Sequence, residues 1–192
     1  PWWVRVFATG AVGHGSRFIE GTALGKLHDI CGKFLAFRAA QKQALDDAHG
    51  CKTLGDVTTI NLTQIHGDGG QPNVIPGTAH ATFDIRIAPT MDLDELKQRL
   101  DEWTAVEGVH YEFLQVHMKH HISSIDPNDK WWSAFSGTFA ALGKTIQPEV
   151  FPAATDSRII RAHGIPAYGF SPISNTPILL HDHNEFVFVD EF

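Results

Sequence analysis

Between residues 78 and 87 the chain alternates without a break, with Ala79, Ala81, Phe83, Ile85 and Ile87 on one parity and His80, Thr82, Asp84 and Arg86 on the other. Successive side chains of a strand point to opposite faces, so this run predicts a strand with one face in a core and one left polar. Such a strand cannot stand alone; it needs sheet neighbours and a layer over its apolar side. The flanking sequence supplies both. Residues 2–8 are aromatic and β-branched and predict a strand, as do residues 56–65 and 109–116. Ile19, Ala23, Leu27, Ile30, Cys31, Phe34 and Leu35 recur at three- and four-residue steps. That spacing predicts a long helix from an N-cap at Ser16 to about Leu45. A second helix opens at Asp92, turns Leu93, Leu96, Leu100 and Trp103 inward, and ends at Gly108. Residues 10–16 read as a flexible turn, 66–70 as a glycine-rich loop and 73–77 as a short extended piece.

The order is β-α-β-β-α-β, the split arrangement of a ferredoxin-like α/β sandwich with both helices on one sheet face. The pattern breaks at the polar stretch Lys119-His120-His121-Ile122-Ser123-Ser124, which divides the chain into residues 1–118 and 119–192. Beyond the break we expect a helix over 131–142, strands near 149–151 and 167–170, and a helix from about Asp156. This second part is too small for a sheet of its own and is expected to complete one supplied by other sequence. Both ends read as cuts, since Pro1 opens directly on a strand and Phe192 follows another extended stretch.

Hydrophobic residues at 43% against 19% charged point to an ordered, cored chain. A net charge of −7 argues against nucleic-acid and anionic-membrane partners, which call for a Lys/Arg excess. No apolar run approaches the roughly 20 residues of a membrane helix. Cys31 and Cys51 form neither a metal-type spacing nor a disulfide framework, which suits a reducing, cytoplasmic setting.

Four blocks carry a more specific signal. Pro1-Trp2-Trp3-Val4-Arg5-Val6 leads into Gly13-His14-Gly15-Ser16-Arg17-Phe18, and Asn73-Val74-Ile75-Pro76 precedes Phe83-Asp84-Ile85-Arg86. Pro152-Ala153-Ala154-Thr155-Asp156-Ser157-Arg158 and Leu179-Leu180-His181-Asp182-His183-Asn184-Glu185 follow. In this order the chain resembles the family of di-zinc aminoacylases, carboxypeptidases and amino-acid deacetylases. The resemblance implies a catalytic domain interrupted by a β-α-β-β-α-β lid that forms a homodimer. Residues 1–118 would be that lid and 119–192 the C-terminal part of the catalytic domain. It also implies two zinc ions per complete site and hydrolysis of an N-acyl-L-amino acid to a carboxylate and a free amino acid. A carboxypeptidase or another deacylase of the family is the alternative within the class, and a non-catalytic dimerisation module the alternative outside it.

Residue roles follow from the same resemblance. His14 would cross the dimer interface to stabilise an oxyanion, although by itself it reads as an exposed turn histidine. Asn73 and Arg86 would hold substrate. A guanidinium fork suits a carboxylate, while the plainer readings are a turn asparagine and an Arg86–Asp84 pair. Thr155 and Arg158 would line the substrate pocket, beside an Asp156 that also reads as an N-cap. His181 matches the family's final zinc ligand, whereas His66-Gly67-Asp68 has the form of a metal motif but lies between lid strands and reads as a turn. The chain holds no Glu-Glu pair for a general base and neighbouring ligand. One ligand cannot hold a catalytic zinc, so the chain alone is expected to be inactive.

Overall fold

In the computed structural model, which describes residues 1–191, the four predicted strands form one antiparallel sheet. They are β1 (Trp2–Thr9), β3 (Thr59–Gly67), β5 (Thr78–Arg86) and β6 (Val109–Gln115), in the order β3-β5-β1-β6. Two further pieces, β2 (Gly13–His14) and β4 (Val74–Ile75), pair with each other outside that sheet. The alternation that predicts β5 sets its register: Phe83 lies opposite Val4 and Ala81 opposite Val6, so all four point to the same covered face. Helices α1 (Ala23–Asp46) and α2 (Leu93–Thr104) supply the cover. Leu27, Ile30 and Phe34 of α1 and Leu96 and Leu100 of α2 are fully buried against that face. Phe34 stacks on Phe83 with ring centres 4.0 Å apart and meets Trp103 at 4.9 Å. The lid part is thus the ferredoxin-like sandwich that the sequence pattern predicts.

Three local expectations are corrected. The first helix starts at Ala23, not after Ser16, and Thr22 caps it by accepting from the Gly25 amide at 3.1 Å. The Ser16 hydroxyl is already engaged by His14 at 2.8 Å, and Gly21 at φ +66° interrupts a helical path. The expected loop at 66–70 begins late: His66 and Gly67 still belong to β3, paired with His80 and Ala79. The expected flexible turn at 10–16 contains β2, held by Val74 and Ile75.

The second part is built differently. Helix α3 (Lys130–Ala141) is capped by Asp129, which accepts from the Trp131 and Trp132 amides, and α4 (Ser157–Ala162) is short. The strands expected at 149–151 and 167–170 do not form. A strand exists only by pairing, and neither segment is paired into a sheet among the described residues. Instead Ser123 Oγ bridges the Ala167 amide and carbonyl, each at 2.9 Å, and the Tyr168 hydroxyl donates to the Ser124 carbonyl at 2.6 Å. Every buried side chain among the described residues belongs to residues 2–104. Residues 119–191 hold no buried side chain, and Trp131, Ile159, Phe170 and Leu180 are all exposed.

The two parts nevertheless touch. His120 Nε2 lies 3.0 Å from the Met91 carbonyl. Gly55 lies so close to the 150 segment that a Cβ would stand 1.9 Å from the Val150 carbonyl oxygen, so only glycine fits.

Candidate functional site

The predicted site residues fall into two groups at opposite ends of the lid sheet. His14 and Asn73 make the first. Residues 10–21 leave the end of β1 as a protruding loop with Phe18 fully exposed at its tip. Gly13 permits the fold of this loop, because a Cβ there would meet Ile19 Cδ1 at 2.3 Å. Pairing of β2 with β4 puts His14 opposite Val74, and the Gly15 amide donates to the Asn73 carbonyl at 2.8 Å. The Asn73 amide group then reaches His14 Nε2 at 3.3 Å. On the other ring edge, Nδ1 meets the Ser16 hydroxyl at 2.8 Å and the Ser16 backbone amide at 3.2 Å.

Arg86 anchors the second group at the far end of β5. Its guanidinium is held by Asp84 through two bonds, Nε to Oδ1 at 2.9 Å and Nη2 to Oδ2 at 2.8 Å. Both alternatives left open for Arg86 are compatible with this pair, since the fork is oriented but still about a third exposed. Arg86, Ile87 and Pro1 line a shallow cleft whose other wall is residues 150–154. Thr155 follows directly, its hydroxyl 2.5 Å from that of Ser157, and its carbonyl accepts from the Arg158 amide at 3.2 Å as α4 begins. Asp156 stands at the N-cap position of α4, as expected, but its side chain makes no capping bond. The His117 imidazole is pushed down by burial first and by Arg158 second. Arg158 therefore acts electrostatically on His117, near the junction of the two parts.

The ends are far apart. The Gly10 amide bonds the Gly77 carbonyl beside the start of β5, whereas Arg86 is its last residue. Eight steps at ~3.3 Å give a separation of about 26 Å along the strand. The loop that carries His14 is therefore anchored at the opposite end of β5 from Arg86.

His181 joins neither cluster as a ligand set. It sits exposed in a turn with φ +62°, where the Asp182 amide bonds the Leu179 carbonyl at 3.0 Å. Among the described residues, no three His, Cys, Asp or Glu side chains come together as metal ligands. The donor set of this chain alone therefore does not fit a catalytic zinc, which takes about three protein ligands. His66-Gly67-Asp68 ends a strand: His66 stacks on His80 at 4.8 Å and Asp68 accepts from the Thr78 hydroxyl. The residue that sequence reasoning misplaced is Ser16, read as a helix cap; its spacing of two from His14 in a glycine-flanked turn is the signal that it serves the imidazole.

Comparison with known proteins places these observations. Residues 2–112 match the peptidase dimerisation domain family. The chain is 50% identical over 196 residues to aminoacylase-1 of Dictyostelium discoideum, covering 97% of this chain and 48% of that protein. It is also 50% identical to aminoacylase-1 of Mus musculus, over 100% of this chain and 47% of that one, and 48% identical to that of Homo sapiens, over 96% and 45%. Among solved structures, a hydantoinase/carbamoylase family amidase from Burkholderia ambifaria shares the fold with a TM-score of 0.57 at 16% identity, over 86% of this chain and 38% of that one. Aminopeptidase PepT from Bacillus cereus does so with a TM-score of 0.55 at 18% identity, over 86% and 41%. The chain spans about half the length of the curated relatives it matches.

Proposed function

The chain belongs to the peptidase dimerisation domain family, and on that premise we propose that it is the C-terminal part of a zinc-dependent hydrolase of N-acyl-L-amino acids. The observation that carries this reading is the 50% identity to aminoacylase-1, in an alignment that covers nearly all of the chain and so both of its parts. The burial pattern supports it. A lid with its own core needs no other cover, whereas residues 119–192 leave apolar side chains that only further sequence can bury. In this reading 1–118 is the lid and 119–192 the tail of the catalytic domain.

The lid forms a homodimer, and the anchoring of the His14 loop at the opposite end of β5 from Arg86 supports a reading in which the two groups serve one site from different chains. Arg86, kept in orientation by Asp84, takes the substrate carboxylate, with Thr155 and Arg158 lining the same pocket. The His14 loop of one chain enters the pocket of the other, where Nε2, with Asn73 beside it, stabilises the oxyanion that develops as the amide is attacked. His181 supplies one zinc ligand; the remaining ligands of the two-zinc site and the general base lie in sequence outside this chain. No helix among the described residues is long and apolar enough to cross a membrane, and the cysteine usage suits the cytoplasm.

Coexpression of the chain with the N-terminal half of an aminoacylase-1 tests the proposal. Zinc-dependent release of methionine from N-acetyl-L-methionine is expected from the complex and from neither half. A well-folded complex that binds zinc without hydrolysing any N-acyl-amino acid refutes it. A stand-alone dimerisation module is the second reading, favoured by the self-contained core of residues 2–104; an open reading frame starting at a Met next to Pro1 would support it.

A further inference from the structure

Donors approach both nitrogens of the His14 ring, and a neutral imidazole cannot accept at both. The Asn73 amide nitrogen faces Nε2 at 3.3 Å. At Nδ1 the Ser16 hydroxyl and the Ser16 backbone N–H converge, at 2.8 and 3.2 Å. The two edges are not equivalent. A backbone N–H cannot become an acceptor, and the pairing of β2 with β4 fixes where it points. An asparagine amide presents its oxygen after half a turn about its last bond. The hydroxyl rotates to suit whichever state the ring adopts, and beside an N–H already aimed at Nδ1 it donates.

We infer that Ser16 is a positioning residue: its hydroxyl and amide together hold His14 as the tautomer that is bare at Nδ1 and carries its proton on Nε2, with Asn73 turned to present Oδ1. Nε2 then carries an N–H while the imidazole is neutral, resting on Asn73 Oδ1 until another acceptor takes that place. For the hydrolase proposed above, on which this consequence rests, the loop delivers a fixed hydrogen-bond donor to the oxyanion. The tautomer itself depends only on this chain.

The test is carbon–nitrogen correlation NMR of the His14 ring in the chain labelled at histidine, read at neutral pH. The expected pattern is an unprotonated Nδ1 and a protonated Nε2. In Ser16→Ala the backbone donor persists but the hydroxyl is gone, so the ratio of the two tautomers falls by about fivefold, the worth of one neutral hydrogen bond. Ser16→Thr, which keeps the hydroxyl, restores the wild-type pattern. Ser16 is exposed and outside the core, so these variants leave the lid folded. A proton on Nδ1 in the wild type, or a Ser16→Ala spectrum identical to it, overturns the inference. Neither result bears on whether the complete protein hydrolyses N-acyl-amino acids.

Discussion

Removing the ring of Phe34 should cost the chain a large share of its stability, and removing that of Phe170 almost none. Phe34 is fully buried, stacked 4.0 Å from Phe83 and 4.9 Å from Trp103, so Phe34→Ala empties the middle of the single core. Truncating a buried phenylalanine costs about 3–5 kcal/mol through lost transfer energy and the cavity left behind. A domain has only ~5–15 kcal/mol in total. Phe170 also contacts aromatic rings, with Phe139 at 4.9 Å, but it is 53% exposed and belongs to the part with no buried side chain. Phe170→Ala is therefore expected to cost under about 1 kcal/mol, in the range of surface changes. Urea unfolding followed by tryptophan fluorescence reads both, since Trp2 and Trp103 report on the lid core. Equal costs at the two positions would refute the claim that stability resides in the lid alone. In the complex with an N-terminal half, the cost at Phe170 should rise as its exposed face is covered.

Three further outcomes are expected. Asp84→Asn removes the charge that orients Arg86 and should raise KM for N-acyl-amino acids about tenfold in the reconstituted enzyme, with kcat much less changed, as steady-state kinetics would show. The Asp101 carboxyl is held below its usual range by the bond from Lys97 and then that from Tyr111. Its share of stability is complete above the unfolded carboxyl's pKa and is lost as pH falls through the lower folded value. Asp101→Asn should thus flatten the acid limb of the thermal stability curve, and an unchanged limb contradicts this. Gly55→Ala should loosen the contact between lid and second part, because the new Cβ meets the Val150 carbonyl; faster proteolysis after residue 118 would register it.

Much of the fold was legible because it rests on periodicity. The alternation of β5 specified its register, and Asp92 marked the start of α2, where it accepts from the Asp94 and Glu95 amides. What escaped depends on pairing. A two-residue bridge such as Gly13–His14 with Val74–Ile75 has no period to read, yet it decides which residues stand beside His14. Ser16 looked like a cap because its hydroxyl is a generic acceptor, and only the folded loop reveals the imidazole as its partner. The strands expected near 149 and 167 have suitable residues but pair with no strand among the described residues. Family resemblance suggested roles for His14 and Arg86, but their placement at opposite ends of the lid sheet came only from the topology.

That placement is most directly tested by subunit complementation in the reconstituted dimer. A His14→Ala protein and an Arg86→Ala protein are each expected to fall to about 1% of wild-type activity or less, given that one oxyanion donor is worth 10²–10³ in kcat. If His14 serves the neighbouring chain, a dimer holding one of each has one intact site. Random remixing of the two dead proteins should then restore about a quarter of wild-type activity. Activity that stays at the level of the separate variants, with mixed dimers demonstrated by mass spectrometry, would contradict the account.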